Sequence, residues 1–193
     1  SDYLFILDQA EVRWVFLTDQ VIYNKLSLLL HDLPLLENII SIEKLPKVES
    51  FERILHTTIP GRNKLFNELQ QIKQGIDPTV VSTIIYTSGT TGFPKGVMLT
   101  HMNICTNILA AASMQPLGEG DKILSFLPLC HMYERIAVYQ FLYKGAEVYY
   151  AESLKATMIN LRDVQPDGIT VVPRFLEKIV TGIYGRSHQY NIF

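Results

Sequence analysis

Two cysteines in 193 residues, Cys105 and Cys130, are too few for a disulfide framework and point to a reducing compartment. Lysines and arginines never run together, and the formal charge is −2. With no basic stripe, no nucleic-acid partner is expected. No apolar stretch reaches the length needed to cross a bilayer, so no transmembrane segment is expected. The greasiest region, 132–151, is broken by Glu134, Arg135, Lys144 and Glu147. No signal peptide, internal repeat or low-complexity tract is read along the chain. The first residue is Ser1 rather than methionine, which suggests an excised segment or a processed tag. What is present is ordinary for a globular protein: 48% apolar residues and enough length to bury one domain-sized core.

Strand and helix patterns alternate. Arg13–Thr18 reads as a buried strand, Gln20–His31 as a helix with Ile22, Leu26, Leu29 and Leu30 on one face, and Asn38–Ile42 as a second strand. This β-α-β order favours a parallel sheet with a crossover helix. A short helix is expected near Ser50–Leu55 and a longer one from Arg62 to Lys73, stopped by Gly75. Val80–Tyr86 is a strand, and 102–114 follows a helical spacing. Then come strand Lys122–Phe126, helix Met132–Tyr143, strand Ala146–Ala151, helix Ser153–Arg162, strand Gly168–Pro173 and helix Arg174–Tyr184. The pattern predicts an α/β fold, a layered sandwich around a mostly parallel sheet. Gly75 and Asp77-Pro78 interrupt it, so a division is expected between residues 1–76 and 77–193.

The most informative segment is Tyr86-Thr-Ser-Gly-Thr-Thr-Gly-Phe-Pro-Lys-Gly-Val-Met-Leu-Thr-His101. Residues 87–96 hold Thr87, Ser88, Thr90 and Thr91, the glycines Gly89, Gly92 and Gly96, and Lys95. Glycines let backbone N–H groups approach a ligand closely, hydroxyls add donors, and lysine adds a mobile positive charge. That combination suits the oxygens of a polyphosphate. It is not the kinase and GTPase loop, in which Gly-Lys-Ser/Thr opens a helix, because here a strand-like run follows. The plain alternative is a Gly/Ser/Thr-rich surface hairpin with Lys95 solvated.

Two further segments carry the argument. Leu127-Pro-Leu-Cys-His-Met-Tyr-Glu-Arg135 places His131 at a strand-to-helix corner, the kind of place where α/β proteins bind ligands. Val172-Pro-Arg-Phe-Leu-Glu-Lys178 follows later. The loop resembles the signature phosphate loop of the adenylate-forming (AMP-binding) superfamily, which includes acyl-CoA synthetases, peptide adenylation domains and luciferases. The other two segments resemble those of long-chain fatty acid–CoA ligases. The match spans about residues 84–180, and the first eighty residues match only in general pattern.

That resemblance implies ATP, Mg²⁺ and coenzyme A, with a fatty acid as the small-molecule partner. It assigns 1–76 to the portion of the large domain before the phosphate loop, and 77–193 to the phosphate-loop and acyl-pocket portion. Thr87, Ser88, Gly89, Thr90, Thr91 and Gly92 would hold the β- and γ-phosphates, with Lys95 following the departing pyrophosphate as the catalytic residue. Thr87 would also ligate the metal. His131, with Met132 and Tyr133, would lie beside the acyl group; a histidine capping local backbone is the alternative. Glu134 and Arg135, adjacent and opposite in charge, read more simply as a solvated or structural pair. Met132, Ile136, Tyr139 and Tyr143 form an apolar stripe that suits either core or an acyl-chain slot, each buried methylene contributing about 0.8 kcal/mol. A zinc site from His101, Cys105, Cys130 and His131 lacks the usual ligand spacing.

Downstream parts of the family pattern are absent before Phe193: an aromatic-Gly-x-Thr-Glu motif, a Thr-Gly-Asp motif and a lysine-bearing C-terminal domain. The chain is therefore expected to be an internal fragment, inactive alone, of a cytoplasmic enzyme in possible peripheral contact with membrane. Rival readings are an adenylate-forming enzyme for an aryl, medium-chain or amino acid, and a non-catalytic nucleotide-binding module. A phosphotransferase is disfavoured, because paired aspartates to hold magnesium are missing.

Overall fold

The computed structural model describes residues 2–57, 61–89, 92–177 and 179–181, in two compact units, Ser1–His101 and Met102–Phe193. The division expected at 76/77 falls within the first unit, at the C-terminal end of a helix.

The first unit opens with α1 (Asp2–Gln9), an element the sequence pattern did not announce. β1 (Trp14–Leu17), β2 (Asn38–Ser41) and β3 (Glu49–Ser50) form a parallel sheet in that order, with Trp14 opposite Asn38 and Ile40 opposite Glu49. The crossover between β1 and β2 is α2 (Gln20–Ser27), as the β-α-β reading anticipates. Asp19 caps α2 by accepting from the Ile22 amide at 3.0 Å, and that bond holds its carboxyl below the usual range. α2 stops earlier than expected. The Ser27 hydroxyl turns back onto the Asn24 carbonyl at 2.9 Å, and the chain tightens into a 3₁₀ turn at Leu30–Asp32. Leu33 thereby joins Leu17 and Leu26 in the core, with Leu4 and Leu7 of α1 packed against them.

After β3 come α3 (Phe51–His56) and α4 (Arg62–Gln74), the latter closed by Gly75. β4 (Val81–Thr87) then pairs with β5 (Lys95–Thr100) as an antiparallel hairpin. A mostly parallel sheet was expected; the strand that feeds the glycine-rich loop instead belongs to this separate two-stranded sheet. The reason lies in the connection. Residues 88–94 are too short for a crossover, which needs a dozen or more residues, so the chain must return antiparallel.

The second unit begins in α5 (His101–Met114). β6 (Lys122–Ser125), β7 (Glu147–Tyr150) and β8 (Gly168–Ile169) make a parallel sheet ordered β7-β6-β8, linked by α6 (Met132–Tyr143) and α7 (Thr157–Val164). β6 is central and apolar, with Ile123, Leu124 and Ser125 buried. Ile123 meets Ala137 and Phe141 of α6 and Ala146 before β7. α7 starts four residues later than the pattern suggested, because Ser153 holds a turn by accepting from the Ala156 amide. β8 is shorter than expected, two residues paired with Ile123 and Leu124, and the chain is helical again at 173–177 and 179–181. The end of the helix expected to reach Tyr184 lies outside the described residues.

Candidate functional site

Thr87 and Lys95 form the last rung of the β4–β5 hairpin. Directly opposed residues of an antiparallel pair share a face, so a hydroxyl and an ammonium leave the same side at the loop mouth. Both are exposed, as is Ser88. Loop 88–94 between them is longer than the usual hairpin connection of about 2–5 residues. Its path depends on glycine. The Gly92 amide donates to the Gly89 carbonyl at 3.2 Å with Gly92 at φ +88°. A Cβ on Gly89 would sit 2.1 Å from the Phe93 carbonyl oxygen, which no real side chain tolerates. Thr90 and Thr91 lie outside the described residues.

The loop is braced from α1. The Tyr86 hydroxyl donates to Gln9 Oε1 at 2.9 Å, and the Phe5 and Phe93 rings lie 5.8 Å apart, tilted by 44°. Sequence reasoning missed this brace. The contiguous apolar run Tyr3-Leu-Phe-Ile6 hides a helical period, and contacts eighty residues away in sequence leave no local signal.

His131 belongs to the second unit, at the corner between β6 and α6. It occupies the N-cap position of α6, yet its side chain makes no capping hydrogen bond and it is exposed. The capping alternative therefore does not hold, and the imidazole is available to a ligand. Met132 is half-buried and Tyr133 exposed, with the Tyr133 hydroxyl donating to the Val171 carbonyl at 3.3 Å. The apolar stripe on α6 is not this unit's core. Ala137, Val138 and Phe141 take that role, while Tyr139 and Tyr143 stay exposed and Ile136 half-buried.

Of the solvated and structural readings of Glu134 and Arg135, the contacts favour the structural one, although the two do not bind one another. Glu134 is 1% exposed and its Oε1 accepts from the Ser125 hydroxyl at 2.5 Å. Its other oxygen has no hydrogen-bond partner of good geometry among the described residues. Burial pushes the Glu134 carboxyl up, against the opposing pull of the Ser125 hydroxyl and the Phe126 amide. Arg135 turns the other way, its Nε donating to the Leu129 carbonyl at 2.9 Å. Among the described residues no three His, Cys, Asp or Glu side chains gather as a metal set.

The family model of the AMP-binding enzymes matches residues 2–190 of this chain. The chain belongs to the AMP-binding enzyme family. It is 39% identical over 139 residues to a chloroplastic long-chain-fatty-acid–acyl-carrier-protein ligase of Arabidopsis thaliana, covering 70% of this chain and 19% of that protein. It is 31% identical over 188 residues to the peroxisomal long chain acyl-CoA synthetase 6 of the same plant, covering 93% of this chain and 26% of that protein. The chain thus spans about a quarter or less of the length of these relatives. Among solved structures, a long-chain-fatty-acid-CoA ligase from Archaeoglobus fulgidus superposes with a TM-score of 0.68 at 22% identity, over 95% of this chain and 35% of that one. At that identity the likeness speaks to the fold: mixed α/β with parallel sheets, as in the N-terminal domain of adenylate-forming enzymes. Among the described residues no helix is long and apolar enough to cross a membrane.

Proposed function

We propose that this chain is part of an ATP-dependent ligase that joins a long-chain fatty acid to a thiol through an acyl-adenylate. The observation that carries this reading is the Gly89 loop with Thr87 and Lys95 on one face of its mouth. A carboxylate is a poor electrophile because its charge repels nucleophiles and oxide does not leave. In the first step a carboxylate oxygen attacks the α-phosphorus of ATP, and the bond to the bridging oxygen of pyrophosphate breaks. In the second a thiol attacks the acyl carbonyl, loses its proton, and AMP departs. Both steps ask the protein mainly to position anions and neutralise charge.

Within that scheme the amides and hydroxyls of 87–92, Thr90 and Thr91 included, hold the β- and γ-phosphates. Lys95 is the catalytic cation that stabilises the departing pyrophosphate. Glycine at position 89 lets the Phe93 carbonyl pack against the backbone and so sets the path of a loop whose amides and hydroxyls suit a polyphosphate. Thr87 offers one neutral oxygen, which fits a single position on Mg²⁺, the ion that would draw charge from the phosphate oxygens. His131, free of any capping bond, stands beside the acyl group with Met132 and Tyr133. The exposed aromatic face of α6 offers apolar surface to an acyl chain. In this division residues 1–76 precede the phosphate-binding portion and 77–193 carry it. The acceptor thiol is that of coenzyme A; the name of one relative raises an acyl carrier protein as the second choice. A cytoplasmic setting with peripheral membrane contact belongs to the same reading, since fatty acids partition into bilayers.

The test is acid-dependent exchange of pyrophosphate into ATP by the full-length protein, scanned across fatty, aryl and amino acids. A maximum at long-chain acids is expected. Exchange dependent on an aryl or amino acid would move the substrate class, and tight ATP binding without exchange would favour a nucleotide-binding module.

A further inference from the structure

We infer that Glu134 and Arg135 are positioning residues for His131, fixing the corner 126–131 from the first turn of the helix that follows it. The corner leaves β6 at Ser125 and re-enters regular structure at Met132. Two ties run back across it. Glu134 reaches its start, through the Ser125 hydroxyl at 2.5 Å. Arg135 reaches its middle, through the Leu129 carbonyl at 2.9 Å. Between them the His131 amide donates to the Pro128 carbonyl at 3.0 Å, closing a turn, and the Arg135 amide donates to the His131 carbonyl at 3.2 Å.

Glutamate three residues after an N-cap ordinarily reaches back to the N-cap amide. Here the His131 amide is committed to Pro128, and the carboxyl points inward to the end of the central strand instead. Its placement is costly, since burial strips the carboxyl of solvent and one oxygen has no well-aligned partner among the described residues. An apolar residue at this site would pack more cheaply but could not grip Ser125. Because the His131 side chain makes no capping bond of its own, its location is set by the backbone of the corner, and the two ties set that backbone. Phe126 adds a further anchor, its ring 4.4 Å from that of Phe175. The adjacent, oppositely charged residues therefore divide a single task, each gripping a different part of the corner.

The kinetic arm of the test rests on the proposed ligase reading; the spectroscopic arm does not. In full-length protein labelled at histidine ¹³Cε1, Glu134→Ala and Arg135→Ala are expected to shift or broaden the His131 resonance, assigned with His131→Ala. His101, in the other unit, serves as reference. Glu134→Gln, which keeps an oxygen acceptor for Ser125, should restore the wild-type resonance. In pyrophosphate exchange, Glu134→Ala should lower kcat by about 10–100-fold with KM for ATP within about twofold, as a misplaced group does. Val138→Ala, a truncation of a buried side chain on the same helix, supplies a matched loss of stability without touching the corner. If Val138→Ala reproduces the His131 change, or Glu134→Ala leaves it unmoved, the inference is overturned. Should Glu134→Ala fail to fold, Ser125→Ala removes the same tie and must produce the same shift. A wild-type protein without acid-dependent exchange removes the ligase reading, while the His131 spectrum still decides the positioning role.

Discussion

Thr87 and Lys95 face one another across the last hydrogen-bonded rung of a hairpin, so the loop's first hydroxyl and its single cation share one side. A loop fragment could not guarantee this. The register of β4 on β5 does, because a slip of one residue would turn either side chain to the opposite face.

Lys95→Ala is expected to lower acid-dependent pyrophosphate exchange by about 10²–10³-fold, the usual loss when one donor to developing charge is removed. Since Lys95 is exposed, the melting temperature should hardly move. Full activity in this variant would remove Lys95 from the mechanism.

Gly89→Ala should abolish nucleotide binding at the loop. The new methyl collides with the Phe93 carbonyl, and backbone rather than a pliable side chain would have to give way. The expected cost is about 1–3 kcal/mol of local strain. Isothermal titration with ATP beside circular dichroism checks this: binding lost with the fold kept is the predicted outcome.

Phe5→Ala tests the brace between α1 and the loop. An aromatic pair of this geometry contributes about 0.5–1.5 kcal/mol beyond its buried area. The variant should raise KM for ATP by about 2–10-fold, the same energy expressed as a ratio, and leave KM for the acid unchanged. Equal effects on both substrates would mean that α1 acts on stability alone.

Glu134 makes stability depend on pH. Its folded-state value lies above the ordinary 4.5, chiefly through burial. Between the unfolded and the folded value the native state holds the extra proton, so the contribution of Glu134 to stability is greatest below 4.5 and falls as pH rises through that window. Glu134→Gln should flatten this part of the profile. Denaturant titrations of wild type and variant across mildly acidic pH measure the difference, and parallel profiles would show that Glu134 ionises normally.

The elements most legible from sequence were those with clear periods and stops: α2 after Asp19, α4 before Gly75, α6 from Met132 to Tyr143, and the central strand β6. Less legible were boundaries decided by hydroxyls that bond their own backbone, such as Ser27 and Ser153. The chemistry of the loop was written in its residues, since glycine, hydroxyl and lysine side chains carry their capacities wherever they lie. The roles of Glu134 and Arg135 were not, because a charge on a helix reads as solvated unless its burial is known.

Residue types, spacing and glycine placement alone determined that this chain is α/β, that it carries a glycine- and hydroxyl-rich loop with a single lysine, and that a histidine stands at a strand-to-helix corner. Those are local properties, set by backbone preference and side-chain chemistry over a few residues. Only the tertiary structure decided that the loop sits on an antiparallel hairpin braced by Phe5 and Gln9, that His131 is left free by its own helix, and that Glu134 is gripped by Ser125. Each of those depends on which distant groups packing brings within hydrogen-bond or van der Waals reach, a quantity no local pattern encodes.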